Sequence, residues 1–485
     1  MTAQQTHGTG ADGAPGTAGA GGTGPAVDLA DLAGRLEGRL VTDPDILASH
    51  STDEAVGVPA EGAVALVRAR STADVVETLR HAHAHGVPVV PQGARTGLSG
   101  AANAVPGAIL LDVRGMDAVV GIDAANHTVT VQPGVINQDL KDALRPHGLA
   151  YPPDPGSVAI SSVGGNIATN AGGLCCVKYG VTRDYVLELT VVLADGTVTR
   201  LGRRTAKGVA GLDLCGLFVG SEGTLGVIVE AVLRVVPLGP DPLTAVATFP
   251  RERDAAAAVA AYMASEPRPS LMELMDRTTI GMLNELGDFG FDGSVGAIVI
   301  MQSDSPTSVA DTEAFARIAG DNGAVDVAFS DNAADNDALI AARRNVQPSF
   351  EHFARAHGGG RLLEDVCVPL SRFTDFVDGL DEIRGRTGVV ISLVAHAGDG
   401  NTHPSIFYDP ADPASARAAQ TAFDDVMQLG LDLGGTITGE HGVGYLKRGW
   451  LARELDDGAR RLHREIKAAV DPAGILNPGK MLDAL

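Results

Sequence analysis

Four glycine-rich segments, each set against a run of β-forming residues, recur between residues 91 and 228: PQGARTGLSG (91–100), PPDPGSVAISSVGGNIATNAGG (152–173), GVTRDYV (180–186) and GSEGTLGVI (220–228). Glycine lets backbone N–H groups approach a ligand closely, and a nest of such donors binds phosphate oxygens. The first segment follows VPVV and carries Arg95, Thr96 and Ser99 between its glycines, the arrangement of a pyrophosphate cradle. The second has few bulky side chains, several small hydroxyls and two asparagines, Asn166 and Asn170, so it can lie along an extended ligand. A single Gly-rich turn is ordinary punctuation between strands. Four in one stretch exceed what turns need, and none reads as a GxGxxG or P-loop fingerprint.

Around these loops, short β runs alternate with helices: AVALVRA, ADVVETLRHAHAHG, VPVVPQG, AILLDV, HTVTVQPG and LELTVVLADGTV. This grammar predicts an α+β domain over residues 58–237. The helix over 73–85 should end at Gly86 in a left-handed cap. Its His81, His83 and His85 read as a solvated helix end, since only the first and last share a face. Residues 27–57 read as a helical segment, with Leu29, Leu32, Leu36 and Leu40 on one stripe. The Gly/Ala-rich residues 1–26 are expected to be disordered. A Pro-rich joint, LGPDPL, opens a second α+β region over 238–485, with strands AVATF, GAIVIMQ and LLEDVCVP. Its last segment, HREIKAAVDPAGILNPGK, predicts a helix and a stopped loop that must pack back on the rest.

The second region carries the chemistry. In VAHAGDGNTHP, His396 and His403 flank an Asp-Gly-Asn turn that lets the two imidazoles converge, and ITGEHGVGYLKR adds Glu440 and His441 in another glycine-flanked turn. A lone histidine is usually structural. Two histidines and a carboxylate in Gly-rich turns contribute little to packing, and they make a good ligand set for Zn²⁺ or Mn²⁺ with open positions.

Together these motifs resemble the FAD-binding PCMH-type, or vanillyl-alcohol oxidase-like, oxidoreductases. Within them the chain is most similar to the branch of D-lactate dehydrogenase, the glycolate oxidase FAD subunit and D-2-hydroxyglutarate dehydrogenase, over residues 59–480. The resemblance implies a two-part FAD-binding domain and an α+β substrate (cap) domain, with a C-terminal helical segment returning to the FAD domain. It implies that Gln92, Gly93, Ala94, Arg95, Thr96, Gly97, Leu98, Ser99 and Gly100 hold the pyrophosphate. Asp154, Pro155, Gly156, Ser157, Gly164, Gly165, Asn166, Ala168, Thr169 and Asn170 would line the flavin and its ribityl chain. Gly173, Glu222, Gly226, Ile228 and Asn477 would complete the pocket. The first loop holds no His or Cys, so the FAD is expected to be noncovalent.

The same resemblance makes His396, His403 and Glu440 ligands of a divalent metal, with zinc the first choice, and His441 the base. Asn401 would touch the substrate or orient a ligand. Arg343, or Arg344 if the register shifts by one, would bind the substrate carboxylate. The implied reaction is oxidation of a D-2-hydroxy acid, D-lactate foremost, to the 2-oxo acid by hydride transfer to flavin N5. Electrons would pass to a quinone, a cytochrome or an electron-transfer flavoprotein. A glycolate oxidase catalytic subunit is the runner-up. D-2-hydroxyglutarate enzymes carry a Lys where this chain has Leu363, which argues for a substrate without a second carboxylate.

Composition excludes some alternatives. A net charge of -23 would repel nucleic acid and anionic lipid. The four cysteines form no CxxC pair, and no stretch approaches the roughly 20 apolar residues that span a bilayer. A cytoplasmic protein is expected, with peripheral docking on a membrane redox partner and a homodimer both admitted. A non-catalytic flavin-binding subunit should have lost the metal and base residues. All four are present.

Overall fold

The computed structural model describes residues 28–485 except 206, 266–267, 288, 290, 292, 331–335, 337–339 and 341, so the tail expected to be disordered lies outside it. The segment read as one N-terminal helix is instead a helix (Ala30–Arg35), a strand (Leu40–Val41) and a second helix (Pro44–His50). Glu37 and Gly38 both take positive φ, 47° and 84°, and a helix cannot continue through two such residues. Leu40 then pairs with Val67, and Asp43 caps the second helix by accepting from the N–H groups of Asp45 and Ile46.

Among the described residues, three large sheets organise the chain beside a two-stranded one that pairs Leu149–Ala150 with Val236–Pro237. In the first, Ala65–Arg68 and Val89–Gln92 both run parallel to Ile109–Asp112 between them, and Leu40–Val41 closes one edge antiparallel. The crossover helix Thr72–His85 starts on a Ser71/Asp74 capping box and stops at Gly86, φ 64°, as the sequence predicts. The second sheet is antiparallel, in the order Val119–Asp123, Thr128–Val131, Val227–Arg234, Val186–Val192, Val198–Gly202.

The third and largest sheet is antiparallel and buried on both faces. Its central strands run Leu243–Phe249, Ala297–Ser303, Leu271–Asp276, Val390–His396 and Asn401–Tyr408. Side-chain parity sorts them: Val299, Met301, Leu393, Ala395 and Ile406 face one core with the helices Glu252–Met263, Phe373–Thr387 and Pro413–Asp432. Ile298, Ile300, Val394 and Phe407 face another, under the helices Arg277–Leu286 and Val346–Ala356. Burial on both faces is why these strands read as continuous apolar runs rather than as alternation.

After the helix Asp457–Val470, the C-terminal segment returns to the first sheet. The Val89 N–H donates to Ile475 O, the Asn477 N–H donates to Val89 O, and Leu476 is fully buried beside them. Lys480, 1% exposed, donates through Nζ to the carbonyls of Gly100 and Asn103 at 2.8 and 2.7 Å, so a buried ammonium keeps its hydrogen bonds. No described helix is long and apolar enough to cross a membrane.

Candidate active site

The two histidines of HAGDGNTH meet because of strand parity. His396 ends one strand and Asn401 begins the next, with His396 opposite Asn401 and Val394 opposite His403. Val394 and His396 share a face, so His403, paired with Val394, shares it too. The ring centroids are 4.9 Å apart. On the other side, Glu273 is the cross-strand partner of His396 and projects onto the same face.

Glu440 reaches these rings from the turn at 439–444. Its Oε1 lies 3.3 Å from His396 Nε2, 3.2 Å from His403 Nε2 and 3.7 Å from His441 Nε2. Two donors each about 2.0–2.1 Å from one ion at a tetrahedral angle stand roughly 3.3 Å apart, so this spacing suits a shared cation. Asp365, His403, Glu440 and His441 offer ligand atoms within 4.8 Å of one another.

The electrostatics of the cluster are uneven. Burial disfavours an imidazolium at His396, yet the carboxylates of Glu273 and Glu440 hold it well above the ordinary value. Burial would raise Glu440, but His396 and His403 hold it well below. His441 is pushed down to about 4 by burial, with neighbouring His403 acting in the same direction, and is therefore a neutral proton acceptor at neutral pH.

The turn carrying Glu440 and His441 is stitched to both halves of the molecule. From the large sheet, Asp365 Oδ2 accepts the N–H groups of Glu440 and His441 at 3.0 and 2.8 Å. From the glycine loops, Glu222 accepts the N–H groups of Val443 and Gly444 at 2.6 and 2.7 Å, and Ser99 donates to the carbonyls of His441 and Gly442. Gly172 abuts Glu440 so closely that a Cβ there would lie 2.6 Å from Oε2. The second glycine loop thus ends against the histidine cluster.

The glycine loops interlock. Gly93 lies against Ser162, whose Oγ accepts from the Ala94 N–H, so loops 92–100 and 161–170 touch. Arg95 has φ 59°, Thr96 and Leu98 are half-buried, Gly97 packs on Asp53, and Gly100 packs on Val58 and Tyr445. Asp154 accepts from the Cys175 N–H and its carbonyl crowds Gly173, Pro155 is buried, Ser157 is half-buried, and Gly156 is exposed at the rim. Gly164, Gly165, Asn166, Ala168 and Thr169 lie in the short helix Val163–Thr169, which Asn170 ends at φ 57°.

Six buried polar atoms on or beside these loops have no partner: Gln92 Oε1, Arg95 Nη1, Asn137 Oδ1, Ser161 Oγ, Asn166 Nδ2 and Asn477 Oδ1. Each such atom costs about 1–3 kcal/mol unless something satisfies it, so the loops fit a ligand rich in hydrogen-bonding groups. Three residues expected to line that ligand are engaged elsewhere. The Glu222 carboxylate is taken by the 439–444 turn, Gly226 is pressed against Phe218, and Ile228 belongs to the core of the second sheet.

Arg343 is brought to the site, but its Nε donates to Glu273 Oε2 at 2.6 Å, behind His396. Asn401 Oδ1 is buried without a partner, beside Gly439. Sequence reading missed Glu273 and Asp365. No local motif marks Glu273, and only its register opposite His396 could have found it.

Residues 63–202 match the family described as FAD binding domain, and residues 241–481 match that described as FAD linked oxidases, C-terminal domain. The chain is 38% identical to glycolate oxidase subunit GlcD of Bacillus subtilis (strain 168), covering 86% of this chain and 88% of that protein. It is 32% identical to the mitochondrial D-lactate dehydrogenase [cytochrome] of Arabidopsis thaliana, covering 94% and 80%. It is 33% identical to D-lactate dehydrogenase of Anaerostipes hadrus, covering 86% and 89%. The fold is shared with 4-ethylphenol oxidase from Gulosibacter chungangensis, with a TM-score of 0.75, 21% identity and coverage of 94% and 97%. It is shared with p-cresol methylhydroxylase as well, with a TM-score of 0.74, 17% identity and coverage of 93% and 96%.

Proposed function

The chain belongs to the FAD-linked oxidases, in the group of the D-lactate dehydrogenases and glycolate oxidase subunits, and on that footing we propose that it oxidises a small 2-hydroxy acid to the 2-oxo acid. D-lactate is the substrate to test first. The observation that carries this reading is the convergence of His396, His403 and Glu440, with His441 beside them and the second glycine loop against Glu440.

FAD would be held noncovalently by residues 92–100 and 161–170, where four of those six unpartnered polar atoms lie. His396, His403 and Glu440 would hold the divalent cation, and their N₂O donor set favours Zn²⁺. When bound, the flavin supplies a two-electron acceptor for the C2 hydrogen, and the cation supplies Lewis acidity that makes the hydroxyl more acidic.

The residues do the rest. His441, neutral at physiological pH, takes the hydroxyl proton at Nε2, the nitrogen 3.7 Å from Glu440 Oε1. Arg343, with Nε given to Glu273, would offer its terminal N–H groups to a substrate carboxylate. The Asn401 amide, held beside Gly439, orients the substrate through its unpartnered Oδ1. Leu363 pairs with Ser405, which shares a face with His403, so an apolar side chain stands on the site face beyond the histidines. That favours a short monocarboxylate. Reduced flavin would be reoxidised by a quinone, cytochrome or flavoprotein rather than by a nicotinamide.

A second reading, a glycolate oxidase catalytic subunit, is favoured by the 38% identity to the Bacillus subtilis protein. Turnover of D-lactate and glycolate by the isolated chain with an artificial electron acceptor separates the two. Brisk D-lactate oxidation by the chain alone supports the first reading, and glycolate oxidation that appears only with added partner subunits supports the second.

A further inference from the structure

Two buried carboxylates stand behind the site histidines. Glu273 Oε1 lies 2.6 Å from His396 Nδ1 and Asp365 Oδ1 lies 3.7 Å from His403 Nδ1, while Nε2 of each ring faces Glu440. Both carboxylates are fully buried. Their other oxygens are engaged. Glu273 Oε2 takes Nε of Arg343, and Asp365 Oδ2 accepts from the N–H groups of Glu440 and His441 and from the Thr438 hydroxyl at 2.6 Å. Asp365 Oδ1 and His403 Nδ1 are left facing each other, both buried and neither with a hydrogen-bond partner.

An ionised carboxylate can only accept, so it keeps a hydrogen on the ring nitrogen it faces. Once a cation displaces the Nε2 proton, the imidazole keeps its hydrogen on Nδ1 and presents a lone pair from the opposite nitrogen. We infer that Glu273 and Asp365 are positioning residues that hold His396 and His403 as Nδ1–H tautomers, so that both Nε2 lone pairs point to the place beside Glu440 where a divalent cation binds. The inference rests on the His/His/Glu metal site proposed above. Asp365 acts twice, because it faces the His403 ring and also grips the backbone of Glu440 and His441.

The test is Asp365→Asn in the full-length flavin-loaded protein. The amide oxygen can still accept from the 438–441 turn, but an NH₂ donor now faces His403 Nδ1 and favours the tautomer whose Nε2 carries the hydrogen. Glu273→Gln makes the same change at His396 from a different strand, which keeps the test decisive if one variant folds poorly. Zn²⁺ affinity by competition with a chromophoric chelator should fall about 10–100-fold in each, with flavin content unchanged. Histidine ¹⁵N spectra of the Zn²⁺-loaded wild type should show Nε2 bound and Nδ1 protonated in both rings. Wild-type affinity in both variants overturns the inference and leaves the metal site standing. Zn²⁺ binding by the wild type that His403→Ala does not weaken overturns the metal site and the inference together.

Discussion

The hydroxyl of Ser99, in the first glycine loop, donates to the carbonyl oxygen of His441 at 3.0 Å, across 342 residues of sequence. The same hydroxyl reaches Gly442 O at 2.8 Å. The loop proposed to hold the flavin pyrophosphate and the turn proposed to move the proton are therefore one hydrogen-bonded unit. Asp365 holds that turn from the opposite side.

Ser99→Ala should therefore injure catalysis more than stability. One hydroxyl hydrogen, shared between two carbonyls, is lost at roughly 0.5–1.5 kcal/mol, a modest cost to folding. Displacement of His441 by a fraction of an ångström should lower kcat about 10-fold or more, with KM little changed. Steady-state kinetics beside a thermal melt checks this, and a variant with wild-type kcat would show that the Ser99 contact does not position the base.

Glu222 makes stability depend on pH. Burial, against its two N–H donors, lifts its carboxyl from 4.5 to about 7. Between those values the folded chain keeps a proton that the unfolded chain has released, so the contribution of Glu222 to stability is full below about 4.5 and is lost as pH rises to about 7. The displacement corresponds to about 3 kcal/mol. Urea midpoints of the wild type and Glu222→Gln at about pH 5 and pH 8 isolate the contribution. The wild type should lose more stability across that interval than the variant, and equal losses would remove Glu222 as the cause.

How far the sequence disclosed this site depends on the range of the contact. His396 and His403 were legible because a hairpin brings together residues separated by one turn, and parity settles their common face. Gly86 was legible because a helix cap is local. Glu273 was not, because strand register across 123 residues leaves no local pattern, and Asp365 was not, because the turn it holds lies 75 residues on. Glu222 was expected at the flavin, yet its carboxylate serves a turn more than 200 residues later, which no glycine motif announces. The N-terminal helix was misread because Leu40 fits both a helical stripe and a strand pairing, and positive φ at Glu37 decided between them.

The reading proposed above puts Leu363 against the far end of the substrate, where an apolar side chain disfavours a second carboxylate. Leu363→Lys should raise kcat/KM for D-2-hydroxyglutarate relative to D-lactate about 10-fold or more, since a cation gains a charge-assisted hydrogen bond with a second carboxylate. An unchanged ratio would place the side chain outside the substrate pocket.

His441→Gln should reduce kcat about 10²–10⁴-fold while metal and flavin contents stay at wild-type values, because proton transfer is lost without loss of a ligand. Parallel loss of metal would instead make His441 a ligand.

Oxidation of a small 2-hydroxy acid is the reaction proposed for the His396/His403/Glu440 cluster and the glycine loops together. Its most direct test is anaerobic mixing of the purified flavoprotein with D-lactate, L-lactate, glycolate or D-2-hydroxyglutarate, before and after metal chelation, while the flavin absorbance is followed. Rapid bleaching by D-lactate that chelation abolishes and Zn²⁺ restores is the predicted result. No bleaching by any of the four acids, with flavin and metal both bound, would contradict it.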